Sequence, residues 1–213
     1  AILQPVSGDF SAKDVAKRQP AKLAALEALY QTSKPADLVI GGIPNDKEQR
    51  VNYAIRIPKG LSFLAKGDVN AEVQGLDKIP REDWPPVLIT HISFQLMVMI
   101  GFFLAFISLL YLILSIKWRH ILLKKWWLIL VAIATPLGFL AVECGWTVTE
   151  TGRQPWIIYG VMRTKDAVSS MPGLRYSFLV VTGVYFLLSI VIIWLMRRQV
   201  NTIHEFYQTA KII

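Results

Sequence analysis

The run Val87-Leu-Ile-Thr-His91-Ile-Ser-Phe-Gln95-Leu-Met97-Val-Met-Ile-Gly101-Phe-Phe-Leu-Ala105-Phe-Ile-Ser108-Leu-Leu-Tyr-Leu-Ile-Leu-Ser-Ile116 contains no Asp, Glu, Lys or Arg. A helix rises about 1.5 Å per residue, so about 20 apolar residues cross a hydrocarbon core about 30 Å thick. This run is long enough, and residues 126–148 and 174–196 are two more of the same kind. Three such runs in a chain of 213 residues that is 54% apolar exclude an ordinary soluble domain. The sequence predicts an all-α integral membrane protein. Its transmembrane segment, residues 86–198, carries three helices, at 87–116, 126–148 and 174–196. Residues 1–85 precede it as a largely irregular extracytoplasmic loop with a short helix, and residues 199–213 follow as a cytoplasmic tail. The chain begins at Ala1 without a signal peptide, and reads as a piece of something longer.

The net charge of +8 is distributed in a way that argues against a nucleic-acid groove. Residues 1–85 hold 12 Lys/Arg against 11 Asp/Glu, and the remaining 11 cations flank the apolar runs. Lys117, Arg119, Lys124, Lys125, Arg197, Arg198 and Lys211 face a single acid, Glu205, in the short connection between the first two runs and the tail. By the positive-inside rule these segments are cytoplasmic. The 1–85 segment and the 151–172 loop then lie together on the outer side. The one cysteine, Cys144, sits in an apolar run and rules out a disulfide framework or a thiolate cluster.

Within the first segment, Pro20-Ala-Lys22-Leu-Ala-Ala-Leu-Glu27-Ala-Leu-Tyr30-Gln reads as a short helix with proline in its first turn. Leu23, Leu26 and Tyr30 form an apolar stripe, with Lys22 and Glu27 about 140° apart at its edges. One cation and one carboxylate bracketing an apolar surface suit a flat amphipathic ligand, although an ordinary surface helix has the same pattern. From Ser33 to Pro86 the chain is dense in Pro and Gly, with only 51–57 alternating weakly as a strand. It shows no metal-ligand spacing, phosphate-binding glycine loop or nucleophile–base pair.

On the first run His91 and Gln95 stand at i,i+4, and below them Met97, Gly101, Ala105 and Ser108 recur on one face. A thioether above small residues leaves a slot for a planar group, or serves plain helix packing. The second run contains Pro136 and ends in Glu143-Cys-Gly-Trp-Thr-Val-Thr-Glu150-Thr-Gly-Arg153-Gln154-Pro155-Trp156. Glu143 and Glu150 share a helix face about 10 Å apart along the axis. A carboxylate inside a span requires a partner, a proton or a metal. A snorkelling Glu, a terminal glycine and an interfacial Trp are the plain alternative.

Three blocks in order carry a resemblance: Gln19-Pro20-Ala21-Lys22-Leu-Ala-Ala-Leu-Glu27, then Phe94-Gln95-Leu96-Met97-Val98, then Glu143-x-Gly145-Trp146-x3-Glu150-x-Gly-Arg-Gln-Pro-Trp156. The series resembles the C-terminal half of subunit I of the cytochrome bd quinol oxidases, over essentially the whole chain. The resemblance implies that 1–85 is a quinol-binding loop, with Lys22 and Glu27 at the quinol site. It implies Met97 as axial ligand of a low-spin haem b and Glu150 as ligand of a high-spin haem b. Arg153, Gln154 and Trp156, with Glu143 nearby, then belong to the haem cluster, and the arginine suits haem propionates. Haem d or a substitute would be the oxygen-binding haem. The partners implied are the N-terminal half of subunit I, subunit II, small accessory subunits, membrane lipid, quinol and oxygen, with no nucleic acid. The location implied is the bacterial cytoplasmic membrane.

Two positions depart from the pattern. The family's histidine ligands lie in the half outside this chain, and His91, His120 and His204 match none of them. Gln95 stands where some relatives carry an arginine. The expected function is membrane quinol:oxygen oxidoreduction that builds a proton motive force, with this half inactive alone. The rival is a non-catalytic membrane scaffold or assembly fragment that binds no cofactor.

Overall fold

The computed structural model describes residues 3–168 and 172–210. Residues 1–167 form one compact unit and 168–213 a second.

The loop is more ordered than its punctuation suggests. It opens with helix α1 (Leu3–Arg18), and after Gln19 the chain enters α2 (Pro20–Leu26). Proline suits that first position because its missing N–H has no intrahelical partner there. α2 is shorter than the sequence predicts. Glu27 caps it, and Ala28 turns away with a positive φ of 47°. Four strands follow: β1 (Leu38–Ile40), β2 (Ile43–Asn45), β3 (Arg50–Asn52) and β4 (Ile55–Ile57). β2 pairs with β3 and β1 with β4, both antiparallel and in one common register. The result is a single ribbon interrupted at Gly41-Gly42, opposite Tyr53-Ala54. Both glycines take positive φ. A Cβ on Gly42 would fall 2.5 Å from Val51 Cγ1, so only glycine fits there. The 51–57 stretch is thus two strands. Helix α3 (Gly60–Lys66) closes the segment.

Two small cores hold this loop together. One joins Ala24, Ala25 and Tyr30 to Val39, Leu76 and Val87, and the other joins Leu23 to Ala36, Leu61, Ala65 and Val73. A fully buried Leu or Val contributes about 1.5–3 kcal/mol. Several together order a segment that reads as irregular from its Pro and Gly alone. The Leu23, Leu26 and Tyr30 stripe is spent on this burial, at 8%, 7% and 4% exposure. The stripe is therefore core and not an open ligand surface, with Lys22 and Glu27 at its two edges.

Helices α4 (Val87–Lys117) and α5 (Lys125–Thr151) pack side by side, joined by a 3-10 turn at Arg119–Leu123. Ile107 and Leu114 of α4 meet Trp127 and Ala134 of α5 in the seam. At the opposite end the Thr90 and Thr151 hydroxyls lie 3.2 Å apart. The hairpin therefore brings the start of α4 and the end of α5 together. α5 continues through Pro136. Beyond it, β5 (Trp156–Ile158) and β6 (Met162–Arg163) form a short antiparallel hairpin. In the second unit, α6 (Leu174–Ala210) is one helix whose uncharged apolar run ends at Met196, before Arg197-Arg198, and the stretch read as a tail is helical as far as Ala210. The three long apolar helices make this an all-α membrane protein.

Candidate functional site

Glu27 occupies the residue after α2, where the buried face of that helix meets the start of α4. It is 5% exposed, and among the described residues its Oε2 has no hydrogen-bond partner. Removal from water disfavours the carboxylate, and burial pushes the Glu27 pKa up to about 8. A buried polar atom without a partner is costly, by about 1–3 kcal/mol. Such atoms are few in native proteins, and each needs a physical account.

Lys22 lies one and a half turns earlier on α2 and points the other way, onto the end of α5. A Cβ added at Gly152 would stand 3.2 Å from Lys22 Cγ and 3.3 Å from Lys22 Cε. The lysine stem therefore crosses the glycine of the Gly-Arg-Gln-Pro-Trp turn. Its pKa is lowered, first by burial and then by the Arg153 charge, with Glu150 acting in the opposite sense. Arg153 Nη2 donates to Glu150 Oε1 at 3.2 Å, an exposed i,i+3 pair. Lys22, Glu150 and Arg153 thus form one charged group at the end of α5.

The remainder of the turn is held from the far side. Thr164 Oγ1 donates to Gln154 Oε1 at 2.8 Å. The Arg163 guanidinium lies 5.1 Å from the Trp156 ring centroid. Through Nη2 it donates to Asp83 Oδ1 at 2.7 Å, while Nη1 stands 3.6 Å from Glu82 Oε2. Arg163, Asp83 and Glu82 are functional-site neighbours that the sequence reading missed. A cation in a polar loop has no periodic signal to mark it.

Lower in the helix pair, Met97 of α4 is half-buried, with its Sδ 3.1 Å from where a Cβ on Gly145 would be. Gly101, Ala105 and Ser108 below it are exposed, so the small-residue strip borders the seam without being consumed by it. Glu143 and Glu150 stand on an exposed face of α5 with Trp146. Gly145 is about 200° around the helix from Glu143. The thioether and the carboxylates therefore lie on opposite flanks of α5. Glu143 is about 10 Å along the axis from Glu150 and outside the Lys22 group.

These donors fit haem. A half-buried thioether and an exposed carboxylate on separate flanks would each offer a single donor to a haem iron. Clusters of three or more His, Cys, Asp or Glu are absent among the described residues.

His91 and Gln95 also have clear places. His91 is fully buried, with Nδ1 2.7 Å from Leu26 O and Nε2 3.2 Å from Gly41 O. Gln95 donates through Nε2 to Val39 O at 2.9 Å and accepts from Gly41 N at 3.1 Å. Its amide thus faces the ribbon edge.

The arrangement defines a helical membrane protein with a polar site where a folded loop meets the ends of two spans. Residues 1–203 match the family described as cytochrome bd terminal oxidase subunit I, and the chain belongs to it. It is 38% identical over 200 residues to the putative cytochrome bd menaquinol oxidase subunit I of Bacillus subtilis (strain 168), covering 92% of this chain and 44% of that protein. It is 30% identical over 209 residues to the cytochrome bd ubiquinol oxidase subunit 1 of the same organism, again covering 92% and 44%. The bd oxidase structure from Geobacillus thermodenitrificans superimposes with a TM-score of 0.78 at 36% identity, covering 89% of this chain and 44% of that one. The chain therefore spans less than half the length of these relatives.

Proposed function

We propose that this chain is the quinol-loop half of subunit I of a bd-type quinol:oxygen oxidoreductase. One observation carries the reading: buried Glu27, with an unpartnered Oε2, caps the short helix that carries Lys22, whose stem crosses Gly152 beside Glu150 and Arg153. A proton-accepting group and a cation are thereby set at the end of the span that carries a haem-ligand candidate.

Quinol oxidation releases protons and electrons together. Glu27 Oε2 accepts one proton, and its raised pKa makes it a stronger base than an ordinary carboxylate. Lys22 Nζ donates a hydrogen bond to a quinol oxygen and orients the ring. Met97 Sδ would hold the low-spin haem b and the Glu150 carboxylate would hold the high-spin haem b. Arg153 would pair with haem propionates, supported by Gln154 and Trp156, and Glu143 faces the same flank as Glu150. Bound haem supplies the one-electron chemistry that these side chains lack. Haem d or a substitute, the N-terminal half and subunit II complete the oxidase, with small accessory subunits where present.

The loop and the Arg153 turn share one end of the α4–α5 hairpin, and the cationic turn 117–125 occupies the other. In the bacterial cytoplasmic membrane the positive-inside rule supports a quinol site on the outer side and a cytoplasmic cationic turn. Quinol protons leave on the outer side. Oxygen-reduction protons taken up from the cytoplasm would then separate charge without a pump.

The test is made in the complete oxidase. Glu150→Ala should abolish the high-spin haem b spectrum in an assembled complex. Lys22→Ala and Glu27→Gln should impair quinol turnover more than haem content. Unchanged spectra and unchanged quinol kinetics across the three variants would leave the chain as a scaffold.

A further inference from the structure

His91 is the one fully buried histidine among the described residues, and the proposed chemistry does not use it. It sits in the second turn of α4 with 0% exposure. Its two ring nitrogens meet backbone carbonyls from separate parts of the loop. A carbonyl oxygen carries no proton, so the 2.7 Å contact with Leu26 O requires the hydrogen on Nδ1. A neutral ring makes that bond alone, and a doubly protonated ring adds a weaker one to Gly41 O at 3.2 Å.

The carbonyl it holds is the informative part. Leu26 is the last residue of α2, and Glu27 follows it. At a helix end the final carbonyls have no intrahelical partner and must be satisfied elsewhere. Here the partner is a side chain from a membrane helix. One turn along α4, Gln95 takes the ribbon through Val39 O and Gly41 N. The loop is thus pinned at the peptide beside Glu27 and at the glycine break in the ribbon. Both anchors precede Met97 on the same rigid helix.

Resting on the quinol-site reading above, we propose that His91 is a positioning residue for quinol oxidation: by bonding Leu26 O it fixes the orientation of the Glu27 carboxyl relative to α4. The histidine does not touch substrate in this account. It acts through the peptide that bears Glu27.

Asparagine places an amide nitrogen near the position of Nδ1, and glutamine places one near Nε2. Asn at 91 therefore keeps the Leu26 bond, Gln keeps only the Gly41 bond, and Leu keeps neither. The complete oxidase carrying His91→Asn, His91→Gln or His91→Leu is assayed for haem b spectrum, haem midpoint potential, and kcat and KM for quinol. Loss of one such hydrogen bond corresponds to about a tenfold effect. The expected result is a KM raised about tenfold in His91→Gln and His91→Leu, with near-normal KM in His91→Asn and unchanged haem spectrum and potential in all three. Equal KM values for the Asn and Gln variants, or a wild-type KM in the Leu variant, would overturn the proposal. If the Leu variant does not assemble, the Asn-to-Gln comparison decides. Glu27→Gln is run beside them. If it impairs quinol turnover while the His91 variants do not, the positioning role fails alone; if Glu27→Gln is also silent, the quinol-site reading fails with it.

Discussion

Lys22 lies across Gly152, so that a single added methyl at the glycine would press on the lysine stem at 3.2–3.3 Å. Gly152 has an ordinary right-handed backbone, with φ −68° and ψ −11°. Its lack of a side chain is therefore required by the close approach and not by conformation. The same Cβ would stand 2.6 Å from Val148 O.

Gly152→Ala follows directly from that contact. Backbone and lysine must both shift, at about 1–3 kcal/mol. Thermal melting of the assembled oxidase should fall by a few degrees, and quinol KM should rise as it does in Lys22→Ala. A Gly152→Ala enzyme with normal KM would show that the contact plays no part in placing the lysine.

The raised pKa of Glu27 gives a pH prediction. The folded group titrates near about 8 against 4.5 for the free side chain. Between these values the folded chain keeps a proton that the unfolded chain releases. Stability therefore falls as pH rises through this window and levels off above it. Glu27→Gln should flatten the melting temperature between about pH 5 and 8. In the same range kcat/KM for quinol should rise with pH in the wild type, as the base form becomes populated, and lose that limb in Glu27→Gln.

Met97 packs on Gly145, and Gly145→Ala would bring a methyl to 3.1 Å from Sδ. The sulfur is the flexible part of that side chain, so the alanine variant should fold. On the proposed haem role of Met97, the low-spin haem b band or midpoint potential should shift, because the thioether must move. Gly145→Leu should remove that band. An unaltered potential in both would argue that Met97 is packing and not a ligand.

Arg163 joins the turn after α5 to the entrance of α4. Its bond to Asp83 is largely shielded, with side-chain exposures of 23% and 16%. Arg163→Ala leaves that carboxylate unpaired, at about 1–3 kcal/mol. Protease sensitivity of the 151–167 loop should increase, and Trp156 fluorescence should change as its covering cation is lost. A double-mutant cycle with Asp83→Asn should show coupling, whereas additive effects would deny the pair any energetic role.

Legibility was uneven for reasons visible in particular residues. The spans were plain, because uncharged apolar runs of bilayer length have no other stable home in water. The motif residues were legible as types: a carboxylate in a span, a lysine beside a glutamate, a thioether above small residues. The loop was not. Its order depends on Leu23, Leu61 and Val73 meeting from distant positions, which no local period announces. Proline and glycine there mark the bends of a folded ribbon, with Gly41 and Gly42 at its break. His91 and Gln95 were visible as an i,i+4 pair, but their targets are backbone carbonyls and an N–H fifty or more residues away.

The sequence by itself determined a three-helix membrane chain, its motif residues and its resemblance to one oxidase family, since hydropathy and residue chemistry are properties of the chain read in order. Tertiary structure alone decided that Lys22 crosses Gly152, that Glu27 is buried with one oxygen unpartnered, and that His91 holds the peptide beside it. Those relationships arise where separate segments compete for the same buried volume and hydrogen-bond partners, and only the folded chain settles that competition.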